Sequence, residues 1–210
     1  MNAQPLSTEG ETDPWVRLAH RRAYEGPYLA VDEYDVLKPN GHPGYYGVVR
    51  FKRVGVGVLP IDEEGWVYLV GQWRFAIDAY SWEMPEGAAD PGEDFAATAL
   101  RELEEEAGLK AAWVTEALRM RMSNSVTDEE CVVFIATGLE TGAAAPDDTE
   151  LFREARLPFQ DALAAALDGR IVDALTIAAL LRAHHMAVTG ALPENLRRAM
   201  LREAGGVSGL

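Results

Sequence analysis

The sequence predicts an α/β protein: a mixed sheet with helices on both faces, preceded by a small N-terminal antiparallel sheet. Three observations carry this. After residue 54, short apolar runs bounded by Gly, Pro and Asp alternate with amphipathic helical stretches. Before that point the chain reads as strands alone, with aromatic and polar residues alternating and no helical period. One stretch, GAADPGEDFAATALRELEEEAGL from Gly87 to Leu109, joins a turn, a capped helix and a stop.

Bulk properties narrow the function. A chain of 210 residues suits one sizeable domain with a small extension, and 48% hydrophobic with 25% charged residues is ordinary for a globular protein. A net charge of −15 argues against a nucleic-acid backbone as partner. It leaves a phosphate substrate open where a divalent cation supplies positive charge. The single Cys131, in CVVFIA, excludes an intrachain disulfide framework and reads as a buried reduced thiol. No apolar run approaches the length of a membrane span. The polar, acidic start MNAQPLSTEGETDP is unlike a secretory or transit peptide, so a cytoplasmic location is expected.

Taken in order, residues 1–14 read as a disordered lead and residues 15–53 as a strand-rich segment. Gly26-Pro27, Asn40-Gly41 and Pro43-Gly44 break that segment. Residues 54–195 read as the main domain and 196–210 as a C-terminal tail, with one more short helix expected within ALPENLRRAMLREAGGVSGL. VGVGVLPI and WVYLVGQWRF are expected as paired strands joined by a turn at Asp62-Glu63-Glu64-Gly65, and SWEMPEG leads into the central stretch. AAWVTEALRMRM and CVVFIATGLE read as strands bracketing the polar loop SNSVTDEE. GAAAPDDTE is an acidic loop and LFREARLPF a short strand. QDALAAALDG and DALTIAALLRAHHMAVTG are amphipathic helices, the second capped near Asp173.

In the central stretch Asp94 is a good N-cap and Gly108 a good stop. Ala96, Ala99, Leu100, Leu103 and Ala107 recur at helical spacing and form one apolar face. Glu102 and Glu106, four apart, stack their carboxylates on a single exposed face, with Glu105 one step around and Arg101 four before it. Like charges so spaced repel, so a helix that concentrates them beside an Arg and a Gly-bounded loop is a candidate divalent-cation site. Mg²⁺ takes such oxygen ligands and bridges to phosphates. A solvated acidic face is the plain alternative for a run of Glu. The fixed spacing of Gly87, Glu93, Arg101-Glu102-Leu103, Glu105-Glu106 and Gly108-Leu109 favours the site.

That spacing resembles the Nudix box, and every position of the pattern is met. The resemblance implies a Nudix-like α/β/α sandwich in which water attacks a phosphorus of a substituted diphosphate, assisted by Mg²⁺, with Mn²⁺ as an alternative. From about Trp15 to Gly190 the order of parts is similar to the branch of ADP-ribose and nucleoside-diphosphate-sugar pyrophosphatases. Those proteins place a strand-rich segment first and dimerise, often by exchanging its strands. The resemblance further implies Glu102 and Glu106 as the principal metal ligands, Glu105 as a further ligand or supporting carboxylate, and the carbonyl of Glu86 as another ligand. Arg101 matches the residue that orients those glutamates, and Glu93 one that supports the loop outside the metal set.

In PDDTE, Asp148 takes the position of the general base and Glu150 that of a metal ligand. The family's usual base is Glu, one methylene longer, so Asp147, Glu129 and Glu150 stay open for the role. Arg74 in VGQWRF matches an Arg that meets the substrate's phosphates, and Glu83 in SWEMPEG one that lines the pocket. Glu129 or Glu130 matches a loop carboxylate that contacts substrate or structure. Trp73, Trp82 and Tyr46 are candidate stacking surfaces for a base. His184 and His185 are adjacent on a helix and point apart, and Gly55 and Gly57 lack the following helix of a phosphate loop.

The expected activity is hydrolysis of ADP-ribose or a related nucleoside diphosphate sugar to a nucleoside monophosphate and a sugar phosphate, by a homodimer. Hydrolysis of nucleoside triphosphates or dinucleoside polyphosphates is one alternative. A non-catalytic ADP-ribose-sensing module is the other.

Overall fold

A computed structural model of the chain describes residue 6 and residues 8–142 and 153–202. It divides into two compact units, one running up to Lys52 and completed by Ser123–Asp128, the other formed by Arg53–Met122 and the chain from Glu129 onward.

The first unit is a meander. Strands β1 (Val16–Glu25), β2 (Leu29–Leu37) and β3 (Pro43–Phe51) pair antiparallel in that order. All ten residues of β1 are exposed. Asp32 on β2 is buried, and its carboxylate accepts from Arg22 Nε at 2.6 Å and Arg50 Nε at 3.3 Å, as a buried charge requires. The segment 123–128 is tied to β3: Asp128 donates its N–H to the Val49 carbonyl at 3.2 Å and accepts from the Phe51 N–H at 2.9 Å.

In the second unit the chain forms β4 (Gly55–Pro60), β5 (Trp66–Arg74), β6 (Ala79–Glu83), β7 (Glu86–Ala88), α1 (Phe95–Ala107), β8 (Leu109–Arg121) and β9 (Glu130–Thr141). Then come β10 (Arg153–Pro158), α2 (Phe159–Leu167), α3 (Ala174–Thr189) and α4 (Glu194–Met200). One sheet has the order β7-β4-β9-β8, a second β10-β5-β6. The β4–β9 pair is parallel and its neighbours antiparallel, so the sheet is mixed.

Strand alternation decides what each face buries. Val132, Phe134 and Ala136 of β9 join Val56 and Val58 of β4 in a core with Ala99 and Leu103 of α1. Val133 and Ile135, facing the other way, join a core with Phe159 of α2, Leu180 of α3 and Met200 of α4. Helices therefore cover both faces, as the sequence predicts. The apolar stripe of α1 is narrower than expected, since Leu100 is 37% exposed.

One pairing differs from expectation. The turn after β4 forms as predicted, with Asp62 Oδ1 accepting from Glu64 and Trp66 at 3.1 and 2.9 Å. Beyond a single bridge, Ile61 to Val67, β4 and β5 do not pair. Both edges of β4 are taken by β7 and β9, and both edges of β5 by β6 and β10. The nearly continuous burial of β4 fits such a central strand, which is apolar on both faces. Among the described residues no helix is long and apolar enough to cross a membrane.

Candidate active site

Helix α1 begins where the sequence predicts. Asp94 is its N-cap, with Oδ1 accepting from the N–H groups of Ala96 and Ala97 at 3.0 and 3.1 Å. Gly108, at φ 59°, ends it in the left-handed conformation. The carboxylates it carries differ from expectation in one respect: Glu102 and Glu106 are not on an exposed face but 8% and 5% exposed. Strand β7 explains this. Glu86 donates its N–H to Glu106 Oε2 at 2.9 Å. A Cβ on Gly87 would fall 2.1 Å from Glu102 Oε1, so the Glu102 carboxylate occupies the space a side chain at 87 would need.

Arg101 gathers the neighbouring acids. Its Nη1 lies 2.8 Å from Glu102 Oε1 and 2.9 Å from Glu105 Oε2, and its Nε donates to Glu93 Oε1 at 3.1 Å. Glu93 also accepts from the Asp90 N–H at 2.9 Å. The Arg101 guanidinium first, and the Asp90 N–H second, lower the Glu93 carboxyl from its ordinary value of 4.5 to about 2. Its folded value lies below its unfolded one, so the stability it contributes is complete above about pH 4.5 and lost as pH falls toward about 2. Across that window, melting temperature against pH should fall less steeply for Glu93→Gln than for the native chain. Parallel curves would show that Glu93 does not couple to folding.

A second acidic group adjoins the first. Glu83, Glu86 and Asp173 each offer a carboxylate oxygen, all within 4.8 Å of one another. Arg74 supplies the counter-charge, its Nε donating to both Glu83 oxygens at 2.9 Å and its Nη2 to Glu86 Oε1 at 3.0 Å. Glu86 Oε2 is buried with no hydrogen-bond partner. Burial, then the charges of Asp173 and Glu83, push the Glu86 carboxyl well above the usual carboxylate range.

Asp173 was legible only as a helix cap, which it is: its Oδ2 accepts from the Thr176 N–H at 2.6 Å. No local pattern marks it as a neighbour of Glu83 and Glu86. The Glu86 side chain is a further addition, since only its carbonyl was anticipated.

The remaining candidates are spread more widely. Trp73 and Arg74 are consecutive on β5 and leave on opposite faces. Trp73, 60% exposed, sits opposite Tyr80, which packs edge-on against Trp82 at 5.6 Å, away from the Arg74 face. Trp82 packs against the core that includes α2 and α3. Tyr46 belongs to the N-terminal unit, 5.4 Å from Trp15. Glu130 pairs with Arg121 at 2.7 Å, and burial raises the Glu129 carboxyl. Burial first, then the charges of Glu129, Glu86 and Asp173, push the Cys131 thiol up to about 12, so it stays protonated and is no nucleophile. Asp147, Asp148 and Glu150 lie outside the described residues.

These residues fit a divalent cation. The donors are all oxygen, as a hard cation requires, and Glu86 Oε2 is buried beside Glu83 and Asp173 with no hydrogen-bond partner. A bound ion would reverse the local penalty for ionising them.

A mixed sheet between helices, with a Gly-bounded loop leading into an acidic helix on one of its faces, defines a class, and comparison with known proteins identifies it. The NUDIX domain matches residues 51–179, and the chain belongs to the Nudix family. The chain is 32% identical over 180 residues to an ADP-ribose pyrophosphatase of Mycobacterium tuberculosis, covering 82% of this chain and 84% of that one. It is 30% identical over 165 residues to an ADP-ribose pyrophosphatase of Bacillus subtilis (strain 168), covering 78% and 89%. A solved structure described as an ADP compounds hydrolase superposes with a TM-score of 0.78 at 21% identity, covering 88% of this chain and all of that one, which shows the shared fold.

Proposed function

We propose that the chain hydrolyses the diphosphate of ADP-ribose or a related nucleoside diphosphate sugar, with Mg²⁺ as cofactor and Mn²⁺ as a substitute. The products are a nucleoside monophosphate and a sugar phosphate. The enzyme class is a Nudix pyrophosphohydrolase. The observation that carries the reading is the pair of buried carboxylates, Glu102 and Glu106, held against Gly87 and the Glu86 N–H in a complete box. The choice of a diphosphate sugar draws on the two relatives named above.

Glu102, Glu106, Glu105, Glu150 and the Glu86 carbonyl would hold the cation. Such a cation would supply charge neutralisation of the diphosphate and a lowered pKa for the attacking water. Arg101 orients Glu102 and Glu105, and Glu93 fixes Arg101 from behind. Asp148 accepts the water's proton, with Asp147, Glu129 and Glu150 as the other carboxylates open for that role. Arg74 turns from Glu83 and Glu86 to the substrate phosphates, a bidentate exchange that guanidinium geometry suits. Glu83 and Glu129 complete the substrate contacts. The strand-rich segment 15–53 joins two copies in a cytoplasmic homodimer, for which the fully exposed β1 is the supporting feature.

The test is release of phosphate esters from ADP-ribose, GDP-mannose, UDP-glucose, a nucleoside triphosphate and a dinucleoside polyphosphate, with Mg²⁺ or Mn²⁺. Preferential metal-dependent cleavage of a diphosphate sugar is expected. Turnover of triphosphates or polyphosphates alone would overturn the substrate and keep the chemistry. Tight ADP-ribose binding without turnover would favour a sensor.

A further inference from the structure

The short run Glu83–Gly87 carries much of the site: the Glu83 carboxylate, the Glu86 N–H and carbonyl, and the bare Cα of Gly87. Several of its backbone groups are tied. The Pro85 carbonyl accepts from the Val58 N–H at 2.9 Å, and Glu86 and Gly87 stand in register with Gly57 and Val56 of β4. Glu86 gives its N–H to Glu106. Met84, at the break between β6 and β7, has no strand neighbour to receive its N–H. That group donates to Thr176 Oγ1 at 2.9 Å, from the first turn of α3.

Both residues are at 0% exposure, so neither group has water as an alternative partner. Thr176 is itself fixed, since its N–H donates to the capping carboxylate of Asp173, which in turn stands beside Glu83 and Glu86. The Met84 side chain is equally confined: a Cβ on Gly57 would lie 2.1 Å from its Cε.

We propose that Thr176 is a positioning residue for the hydrolysis. Its hydroxyl sets the level of Met84, and through it the placement of the Glu86 N–H and carbonyl against Glu106 on α1. The inference rests on the hydrolase reading above and assigns that site a support from α3. Packing alone would be met by valine, which has the same shape. The hydroxyl distinguishes threonine here, and its oxygen is what the Met84 N–H meets.

Thr176→Val and Thr176→Ser in the full chain test this. Three readouts apply: steady-state kinetics on the best diphosphate substrate, Mn²⁺ affinity by electron paramagnetic resonance, and hydrogen exchange at the Met84 and Glu86 amides. T176V should lower kcat about tenfold with KM changed less than about twofold, because a small misplacement costs far more in rate than in binding. It should also loosen Mn²⁺ and speed exchange at both amides, and T176S should restore all three. T176V at native kcat and Mn²⁺ affinity would overturn the proposal, as would T176S as impaired as T176V. Should T176V not fold, Thr176→Cys, a weaker acceptor of similar size, takes its place and should fall between the native chain and a non-acceptor. Native kcat in T176C would overturn the proposal equally. If the native chain cleaves no diphosphate, the hydrolase reading fails on its own, while Mn²⁺ affinity and amide exchange still decide the role of Thr176.

Discussion

Glu106→Gln should lower kcat at least about a hundredfold while leaving the metal-free chain as stable as before, or slightly more so. The geometry separates the two effects. Glu106 Oε2 accepts the Glu86 N–H at 2.9 Å, and a glutamine carbonyl oxygen can take that role without moving α1 or β7. What glutamine cannot supply is the negative charge. Removing it relieves repulsion with Glu102 one turn away, worth a few tenths of a kcal/mol. The loss in rate reports the lost cation ligand. Kinetics with Mg²⁺ and thermal melting without it would separate these outcomes, and a collapsed melting temperature would make Glu106 structural instead.

Arg74→Ala should give the largest loss of stability in the site. The Glu83 side chain is 4% exposed, and Arg74 is the cation that pairs with it. Breaking a fully buried pair by removing one partner costs about 3–5 kcal/mol. Arg74 itself is 38% exposed, so solvent screens part of this and about 2 kcal/mol is expected. The control is the double variant Arg74→Ala with Glu83→Gln, which removes the stranded charge as well. Urea denaturation should show the double variant recovering stability relative to the single one. Equal midpoints would mean that Glu83 is compensated from elsewhere.

How much of this was legible in the sequence follows from the range of each interaction. Helix α1 was readable to its ends because Asp94, Gly108 and the Ala99–Leu103 spacing act within a few residues. The alternation that splits β9 between two cores is equally local. The period of two also separates Trp73 from Arg74, a consequence of strand geometry that treating both as substrate contacts passed over. The pairing of β4 and β5 was misread because their turn is local but their edges are not. Whether a strand's edge is free depends on β7, β9, β6 and β10. Burial of Glu102 and Glu106 likewise needed β7 laid across the helix, and Asp173 reached Glu83 and Glu86 only once α3 was packed. Caps and periods fix what an element is. What it meets is written in distant parts of the chain.

The N-terminal meander is completed by Ser123–Asp128, which arrives from between β8 and β9. No single cut therefore separates the two units: a fragment ending at Lys52 lacks the Asp128 carboxylate that receives the Phe51 N–H. A fragment beginning at Arg53 carries that loop without the Val49 carbonyl it binds. Such a module cannot be grafted as a cassette onto another scaffold, nor deleted without editing the catalytic unit.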